Sequence, residues 1–66
     1  MKNNIRVERA IVNISQQLLA DAIGVSRQTI HAVESGKFIP STVLSLKIAR
    51  FFKKPVDDVF QLEEDD

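Results

Sequence analysis

A sharp turn between two short helical segments is the feature that most constrains this chain. The turn consists of Gly24-Val25-Ser26. Glycine adopts the left-handed backbone conformation that ends one helix, and serine caps the start of the next. The valine between them is placed to fill the corner that the two helices form. The sequence therefore predicts a tight helical corner near the middle of the chain.

Other caps and helix breakers divide the rest of the chain. Ser15 and Ser41 are placed as N-caps, and Gly36 as a C-terminal cap. Pro55 prevents a helix from continuing past Lys54. No segment alternates apolar and polar residues for long enough to predict a strand. The predicted helices lie at 4–13, 16–23, 27–35, 42–53 and 56–60.

Length and composition exclude several classes of protein. The 66 residues have room for one small all-α domain, at 1–60, and an acidic tail at 61–66. With no cysteine and one histidine, His31, neither a disulfide framework nor a cysteine-based zinc site is predicted. The chain has no apolar run of membrane-span length and no signal-peptide core, so we expect a cytoplasmic protein without a membrane segment. It also lacks a Gly-rich phosphate loop and a nucleophile–base pair. We therefore expect no enzyme activity, cofactor or metal.

Charge is unevenly distributed, although the formal net charge is zero. Residues 1–54 contain all nine basic residues and three acidic ones, whereas residues 55–66 contain six acidic residues and no basic one. A basic body can bind a polyanion. Runs of like charge in small proteins can also be ordinary solvated surface with no binding role. The charge distribution alone therefore does not decide between a polyanion-binding surface and a solvated one.

The helix at 27–35 has two distinct faces. Thr29, Ile30 and Val33 fall on one side, at the spacing of a buried stripe. The opposite side has few acidic residues and carries Arg27, Gln28, His31, Ala32 and Ser35. Because arginine and glutamine form paired hydrogen bonds with base edges, this face is interpreted as a reading surface.

The chain resembles a known family over residues 5–60. The residues that carry the resemblance are Ser15-Gln16-Gln17-x-Leu19-Ala20, Ile23-Gly24-Val25-Ser26-Arg27-Gln28-Thr29-Ile30, Val33-Glu34-x-Gly36-Lys37, Pro40-Ser41, Leu46-Lys47-Ile48-Ala49-Arg50 and Val59-Phe60. They resemble the helix-turn-helix of the Cro/repressor (XRE-type) DNA-binding family. The resemblance implies a compact, lambda-repressor-like fold of five helices with the motif at 16–35. Some compact members also pair an N-terminal strand with a C-terminal one, which here would involve 1–4 and 61–63.

The resemblance also implies that the helix at 27–35 lies in the major groove of DNA, with its N-terminal residues at base edges. The residues predicted to contact bases are Ser26, Arg27, Gln28, His31 and Ala32. Arg27 can instead bind a phosphate, because it lies in the first helical turn. His31 is either a DNA contact or an exposed histidine with no special role.

A second set of residues is predicted to bind the DNA backbone. These residues are Gln16, Thr29, Ser35, Lys37 and Phe38. Gln16 begins the first helix of the motif, where backbone N–H groups favour an anion. Thr29 either packs inside or binds phosphate. Lys37 is either a phosphate ligand or a surface lysine near a helix C-terminus.

Charged residues of the first helix have structural interpretations. In the family, an arginine of this helix commonly pairs with the glutamate that ends the reading helix, which implies an ion pair between Arg9 and Glu34. Arg9 can also reach a phosphate. Glu8 stands where many relatives have an inward-facing leucine. Either Val7 and Ile11 supply that packing or the helix starts differently, so its register is left open.

The chain has more apolar residues than a single helix stripe requires. Leu18 and Val43 are apolar where relatives usually have charged residues. Phe51, Val56 and Leu62 are candidates for a symmetric interface, unless they fill the core of a monomer. Two domains related by a two-fold axis would read half-sites ~34 Å apart.

Sequence analysis therefore predicts a homodimeric, sequence-specific regulator of transcription that binds double-stranded DNA and represses at a palindromic operator. Two alternatives involve a protein partner bound through the C-terminal surface: an antitoxin-like regulator, or an interaction module that does not bind DNA. The acidic tail is expected to lie far from the reading helix because its charge repels phosphate.

Overall fold

Five short helices and one small sheet make up the fold in the computed structural model, which describes residues 1–66. The helices are α1 (Ile5–Val12), α2 (Gln16–Ile23), α3 (Arg27–Glu34), α4 (Thr42–Phe51) and α5 (Val56–Val59). The strands are β1 (Lys2–Asn3) and β2 (Phe60–Gln61). None of the helices has the length and apolar character required to cross a membrane. The predicted five-helix architecture is confirmed.

Three serines begin helices as the sequence predicted. The hydroxyl groups of Ser15, Ser26 and Ser41 accept hydrogen bonds from the backbone N–H groups three residues later. These bonds satisfy donors that have no partner within the helix. The starts of α2, α3 and α4 are therefore determined locally by serine caps.

Four helices end with a residue in the left-handed region. Two of these residues are the predicted glycines, Gly24 (φ 90°) and Gly36 (φ 78°). The other two are Asn13 and Lys53, each with φ 57°. At all four ends the next N–H group donates to the carbonyl five residues earlier, as from Val25 to Ala20 over 3.0 Å. The prediction of a helix at 42–53 was too long because Lys53 takes this turn and α4 ends at Phe51.

The two chain ends pair as short antiparallel strands. Lys2 lies opposite Gln61 and Asn3 opposite Phe60. The Asn3 side chain donates to the Val33 carbonyl over 2.9 Å, and thereby ties the sheet to the end of α3. β2 includes Gln61, the first residue of the segment that sequence analysis assigned to the tail.

The hydrophobic core draws on all five helices. Its buried members are Ile5, Leu19, Ala20, Ile30, Val33, Ile48, Ala49, Val59 and Phe60. Ile30 and Val33 confirm the inward stripe predicted for α3. Phe51 and Phe52 pack edge to face beside this core, with ring centroids 5.1 Å apart. Buried residues of α2 and α3 thus pack in the same core on either side of the predicted corner.

α1 has an unusual distribution of polar and apolar residues. Glu8 is buried, and its carboxylate lies 2.8 Å from the Lys54 Nζ atom. Val7 and Ile11 are 58% and 65% exposed. They therefore do not supply the packing that sequence analysis considered, and Glu8 itself faces inward with a charged partner.

Candidate nucleic-acid interface

The outer face of α3 is polar and largely without intramolecular partners. Arg27, Gln28 and His31 are exposed, and Ala32 is half-buried. Arg27 and Gln28 form no side-chain hydrogen bond or ion pair within the chain. Their donors and acceptors are therefore available to a ligand.

Ser26 and Thr29 are engaged with each other at the start of α3. The Ser26 hydroxyl accepts from the Thr29 N–H over 3.1 Å, and the two hydroxyl oxygens are 2.9 Å apart. Ser26 is exposed and Thr29 is half-buried. The primary role of the Ser26 side chain is thus to cap α3.

Phe38 lies next to the reading face. It is 47% exposed and lines a shallow depression together with Gln28, Thr29 and Ala32. Phe38 is expected to contact the DNA backbone, and it lies beside Gln28 and Ala32, which are expected to contact bases. Lys37 follows the left-handed Gly36, is exposed and has no ion-pair partner.

A polar cleft of about 300 Å³ lies between α1, the start of α2 and the outer face of α3. Its lining contains no apolar residue and consists of Arg6, Arg9, Gln16, His31, Glu34 and Ser35. The Gln16 Nε2 and His31 Nδ1 atoms are 3.5 Å apart, which is long for a hydrogen bond. The structure therefore brings together three predicted DNA contacts (Gln16, His31 and Ser35) and adds Arg6.

Arg9 and Glu34 form a bidentate ion pair at the inner side of this cleft. Arg9 Nε lies 2.6 Å from Glu34 Oε2, and Arg9 Nη2 lies 3.0 Å from Glu34 Oε1. Arg9 Nη1 also donates to the Ile14 carbonyl over 3.0 Å. The hydrogen bonds that Arg9 donates to Glu34 raise the pKa of the Arg9 guanidinium above its ordinary value. This pair connects α1 with the end of α3 and with the turn before α2.

The acidic tail lies closer to α3 than expected. The Met1 α-amino group is 3.1 Å from Glu63 Oε1 and 3.0 Å from Asp66 Oδ2. Glu63 also lines a groove with Ser35 and Gly36, which immediately follow α3. The tail was expected to lie far from α3, but it lies near the C-terminal end of that helix. Pairing of the two chain ends brings it to this position.

The candidate dimer residues differ in exposure. Phe51 and Val56 are half-buried against the core, whereas Leu62 is 80% exposed. Leu18 and Val43, the two further apolar residues that the sequence placed on the surface, are 47% and 62% exposed. Both therefore add apolar surface.

Sequence reasoning did not identify Arg6 as a site residue. Its spacing of three residues from Arg9 places both side chains on one side of α1. That spacing was the available signal, but it could not show that α1 turns this side toward Gln16 and His31.

Comparison with known proteins assigns the chain to a family. A helix-turn-helix family model matches residues 5–59. The chain is 48% identical to an HTH-type transcriptional regulator of Methanocaldococcus jannaschii over the full length of both chains. It is 45% identical to the HTH-type transcriptional regulator YgzD of Bacillus subtilis, with 98% of each chain covered. A third HTH-type transcriptional regulator, from Archaeoglobus fulgidus, is 41% identical, with the match spanning 100% of this chain and 93% of the relative.

These matches cover the motif, the core helices and the cleft together. The serine caps, the glycine turn and the free polar face of α3 all lie within the matched residues. The family and the relatives indicate a DNA-binding regulator and not an enzyme. The protein belongs to the Cro/repressor-type (XRE-type) helix-turn-helix family of DNA-binding transcriptional regulators.

Proposed function

We propose that this protein is a sequence-specific repressor that acts in the cytoplasm and binds a palindromic operator as a homodimer. One observation carries the proposal: Arg27 and Gln28 are exposed, uncommitted and adjacent at the start of α3. A bidentate ion pair between Arg9 and Glu34 fixes the other end of the same helix. A rigid helix with free bidentate groups at its N-terminus suits direct reading of the major groove.

Gln28 and Arg27 are the residues that we propose for base recognition. Glutamine matches the N6 and N7 atoms of adenine, and arginine matches the O6 and N7 atoms of guanine. His31 and Ala32 lie one turn further along α3. Ser26 contributes through the cap that orients this first turn.

The residues proposed to bind the DNA backbone surround this reading face. They are Gln16, Thr29, Ser35, Lys37 and Phe38. Lys37 is supported by its exposed, unpaired ammonium group, and Gln16 and Ser35 by their place in the polar cleft. Thr29 has the least freedom because its hydroxyl is bonded to Ser26. Phe38 offers only apolar surface, because its backbone N–H already donates to the Ala32 carbonyl over 3.2 Å.

We propose that Phe51, Val56 and Leu62 contribute to the homodimer interface. Leu62 supports this assignment most directly, because an 80% exposed leucine gains most from being covered. A two-fold dimer would place two copies of α3 about 34 Å apart, in successive major grooves on one side of B-DNA. Occupation of such an operator is sufficient for repression.

The experiment that tests this function is binding to random-sequence duplex DNA across a salt series, followed by selection of the retained pool. We expect the affinity to fall steeply with salt and the selected sequences to form a palindrome. Selection of a single half-site would overturn dimeric reading. Failure to retain any duplex at about 50 mM salt would overturn DNA binding and favour a protein partner.

Two variants separate base reading from backbone binding. Gln28→Ala is expected to relax one position of each half-site, at about 1–3 kcal/mol of lost discrimination. Lys37→Ala is expected to weaken all sequences alike and to reduce the salt slope by about 1. The matched control is Lys47→Ala, which removes an exposed, unpaired lysine from α4. An unchanged sequence preference in Gln28→Ala would remove Gln28 from the reading set.

A further inference from the structure

Two guanidinium groups line the polar cleft, and they differ in how many hydrogen bonds they make within the chain. Arg9 uses all three of its side-chain nitrogens in hydrogen bonds to Glu34 and to the Ile14 carbonyl. Arg6 is exposed and forms no hydrogen bond or ion pair within the chain. The cleft therefore contains one committed arginine and one free arginine.

The charge of the cleft depends on Arg6. The Glu34 carboxylate would repel an anion, but the two hydrogen bonds from Arg9 neutralise it. Three of the five N–H groups of Arg9 are taken by Glu34 and the Ile14 carbonyl, and its positive charge is balanced by the Glu34 carboxylate. Arg6 thus remains as the full positive charge that can meet an incoming anion.

The neighbours of Arg6 in the cleft are neutral hydrogen-bonding groups. Gln16 can donate from its amide, Ser35 from its hydroxyl and His31 from its ring. The Gln16–His31 contact, at 3.5 Å, is too long to satisfy either group fully. A ligand with several acceptor oxygens would satisfy these donors together.

We propose that Arg6 binds a phosphate group in this cleft, and that the phosphate belongs to the DNA backbone beside the half-site read by α3. This inference rests on the proposed DNA-binding function and adds a residue to it. A phosphodiester has acceptor oxygens and one negative charge, which match one guanidinium and its neutral donors. His31 lies both on the outer face of α3 and in the cleft. A phosphate bound in the cleft would therefore lie next to the reading face.

The position of Arg6 on α1 gives this contact a second effect. α3 is fixed to α1 by the Arg9–Glu34 pair. A phosphate held by Arg6 would therefore fix the rotation of the whole domain about the groove, and not only the position of a surface loop. Backbone contacts of this kind set register while carrying no sequence information themselves.

The test is the salt dependence of binding to the selected operator, measured for wild type and Arg6→Gln. Each phosphate contact contributes about 0.9 to the slope of log K against log salt on B-DNA. Arg6→Gln is expected to lower the slope by about that amount while the selected sequence stays the same. Arg6→Lys, which keeps the charge, is expected to retain the wild-type slope.

Lys47→Gln is the matched control, since it removes an exposed, unpaired cation from α4, outside the cleft. It should leave the slope unchanged. Thermal unfolding monitored by circular dichroism should give Arg6→Gln the wild-type midpoint, because Arg6 makes no contact that stabilises the fold.

The possible failures are distinguishable. A wild-type slope in Arg6→Gln would overturn the Arg6 contact and leave the proposed function standing. An equal loss of slope in Lys47→Gln would show a general charge effect and would also overturn it. If wild type shows no salt-dependent binding to duplex, the proposed function itself fails.

A further arm distinguishes a DNA phosphate from a free anion. Inorganic phosphate is titrated into the DNA-free protein at constant ionic strength, and the Gln16 and His31 resonances are followed by NMR. We expect no saturable shift. Saturation in wild type that is absent in Arg6→Gln would assign the cleft to a free anion and overturn the DNA assignment.

Discussion

α1 and α3 are both eight residues long, yet they distribute their polar residues in opposite ways. In α3 the apolar Ile30 and Val33 are buried and the polar residues of the reading face are exposed. In α1 Glu8 is buried, while Val7 and Ile11 face solvent. Hydrophobic periodicity describes α3 correctly and describes α1 incorrectly.

The difference lies in where each helix finds its partners. α3 packs its apolar stripe on the common core, so its own pattern is sufficient to orient it. α1 places charges inward because Lys54 and Glu34 neutralise them from distant parts of the chain. Periodicity alone cannot identify such partners, because they are supplied by the tertiary fold.

The largest expected effect tests whether an apolar side chain contributes more to stability on α3 than on the outer face of α1. Ile30→Ala removes a fully buried side chain and should lower the free energy of unfolding by about 4 kcal/mol. Ile11→Ala makes the same chemical change at a 65% exposed site, and should change it by less than about 0.5 kcal/mol. Urea denaturation measures both. Similar losses would show that the outer face of α1 is covered in solution.

The next effect tests the charged side of the comparison. Glu34→Ala leaves the partly buried Arg9 guanidinium without its partner and should cost about 3 kcal/mol. In a double-mutant cycle, Arg9→Ala with Glu34→Ala should lose less stability than the sum of the single variants. Additive losses would contradict a coupled pair.

A smaller effect, of opposite sign, is expected at Glu8. Glu8→Leu replaces a buried carboxylate with an apolar side chain and leaves Lys54 to extend into solvent, where its side chain is already 41% exposed. We expect the free energy of unfolding to increase by about 1 kcal/mol. Glu8→Gln is the control that keeps the shape without the charge. A loss of stability in Glu8→Leu would show that the ion pair stabilises α1.

The smallest effect concerns pH and the chain ends. Hydrogen bonds to Asp66 and then Glu63 raise the pKa of the Met1 α-amino group above 8.0. The Glu63 N–H and then the Met1 amine lower the pKa of Asp66 below 3.8. The contribution of this contact is therefore fully present between about pH 3.8 and 8.0, and is lost as pH rises through the raised amine pKa or falls through the lowered Asp66 pKa.

Amide hydrogen exchange at Lys2 and Gln61, corrected for its intrinsic pH dependence, measures this contact. Protection in the sheet should weaken outside that pH range, while Ile30 in the core stays protected. Asp66→Asn should reduce the acidic and basic changes in sheet protection. Uniform changes at Lys2 and Ile30 would instead indicate global unfolding.

The sequence was sufficient for features that depend on one residue and its near neighbours. The serine caps, the turn at Gly24 and the two faces of α3, one buried and apolar and one exposed and polar, are of this kind. The left-handed conformations of Asn13 and Lys53 were not predicted, because residues other than glycine adopt them rarely. In both cases the surrounding helix end imposes the turn.

The site was predictable to a similar extent. The residues of α2 and α3 at the cleft follow from the motif, including Gln16 and His31. Arg6 and the tail position depend on how α1 and the paired chain ends pack on that motif. Such placements depend on tertiary packing, which no local pattern encodes.

The helix ends described above also determine how this domain folds. Each helix is stopped after ten residues or fewer. Isolated helices shorter than about 12–15 residues are only marginally stable in water. No segment can therefore persist as a helix without the others, and folding is expected to be a single cooperative event. The polar face of α3 is presented only while the entire domain is folded, so a distant core substitution is expected to abolish DNA binding without altering any residue on that face.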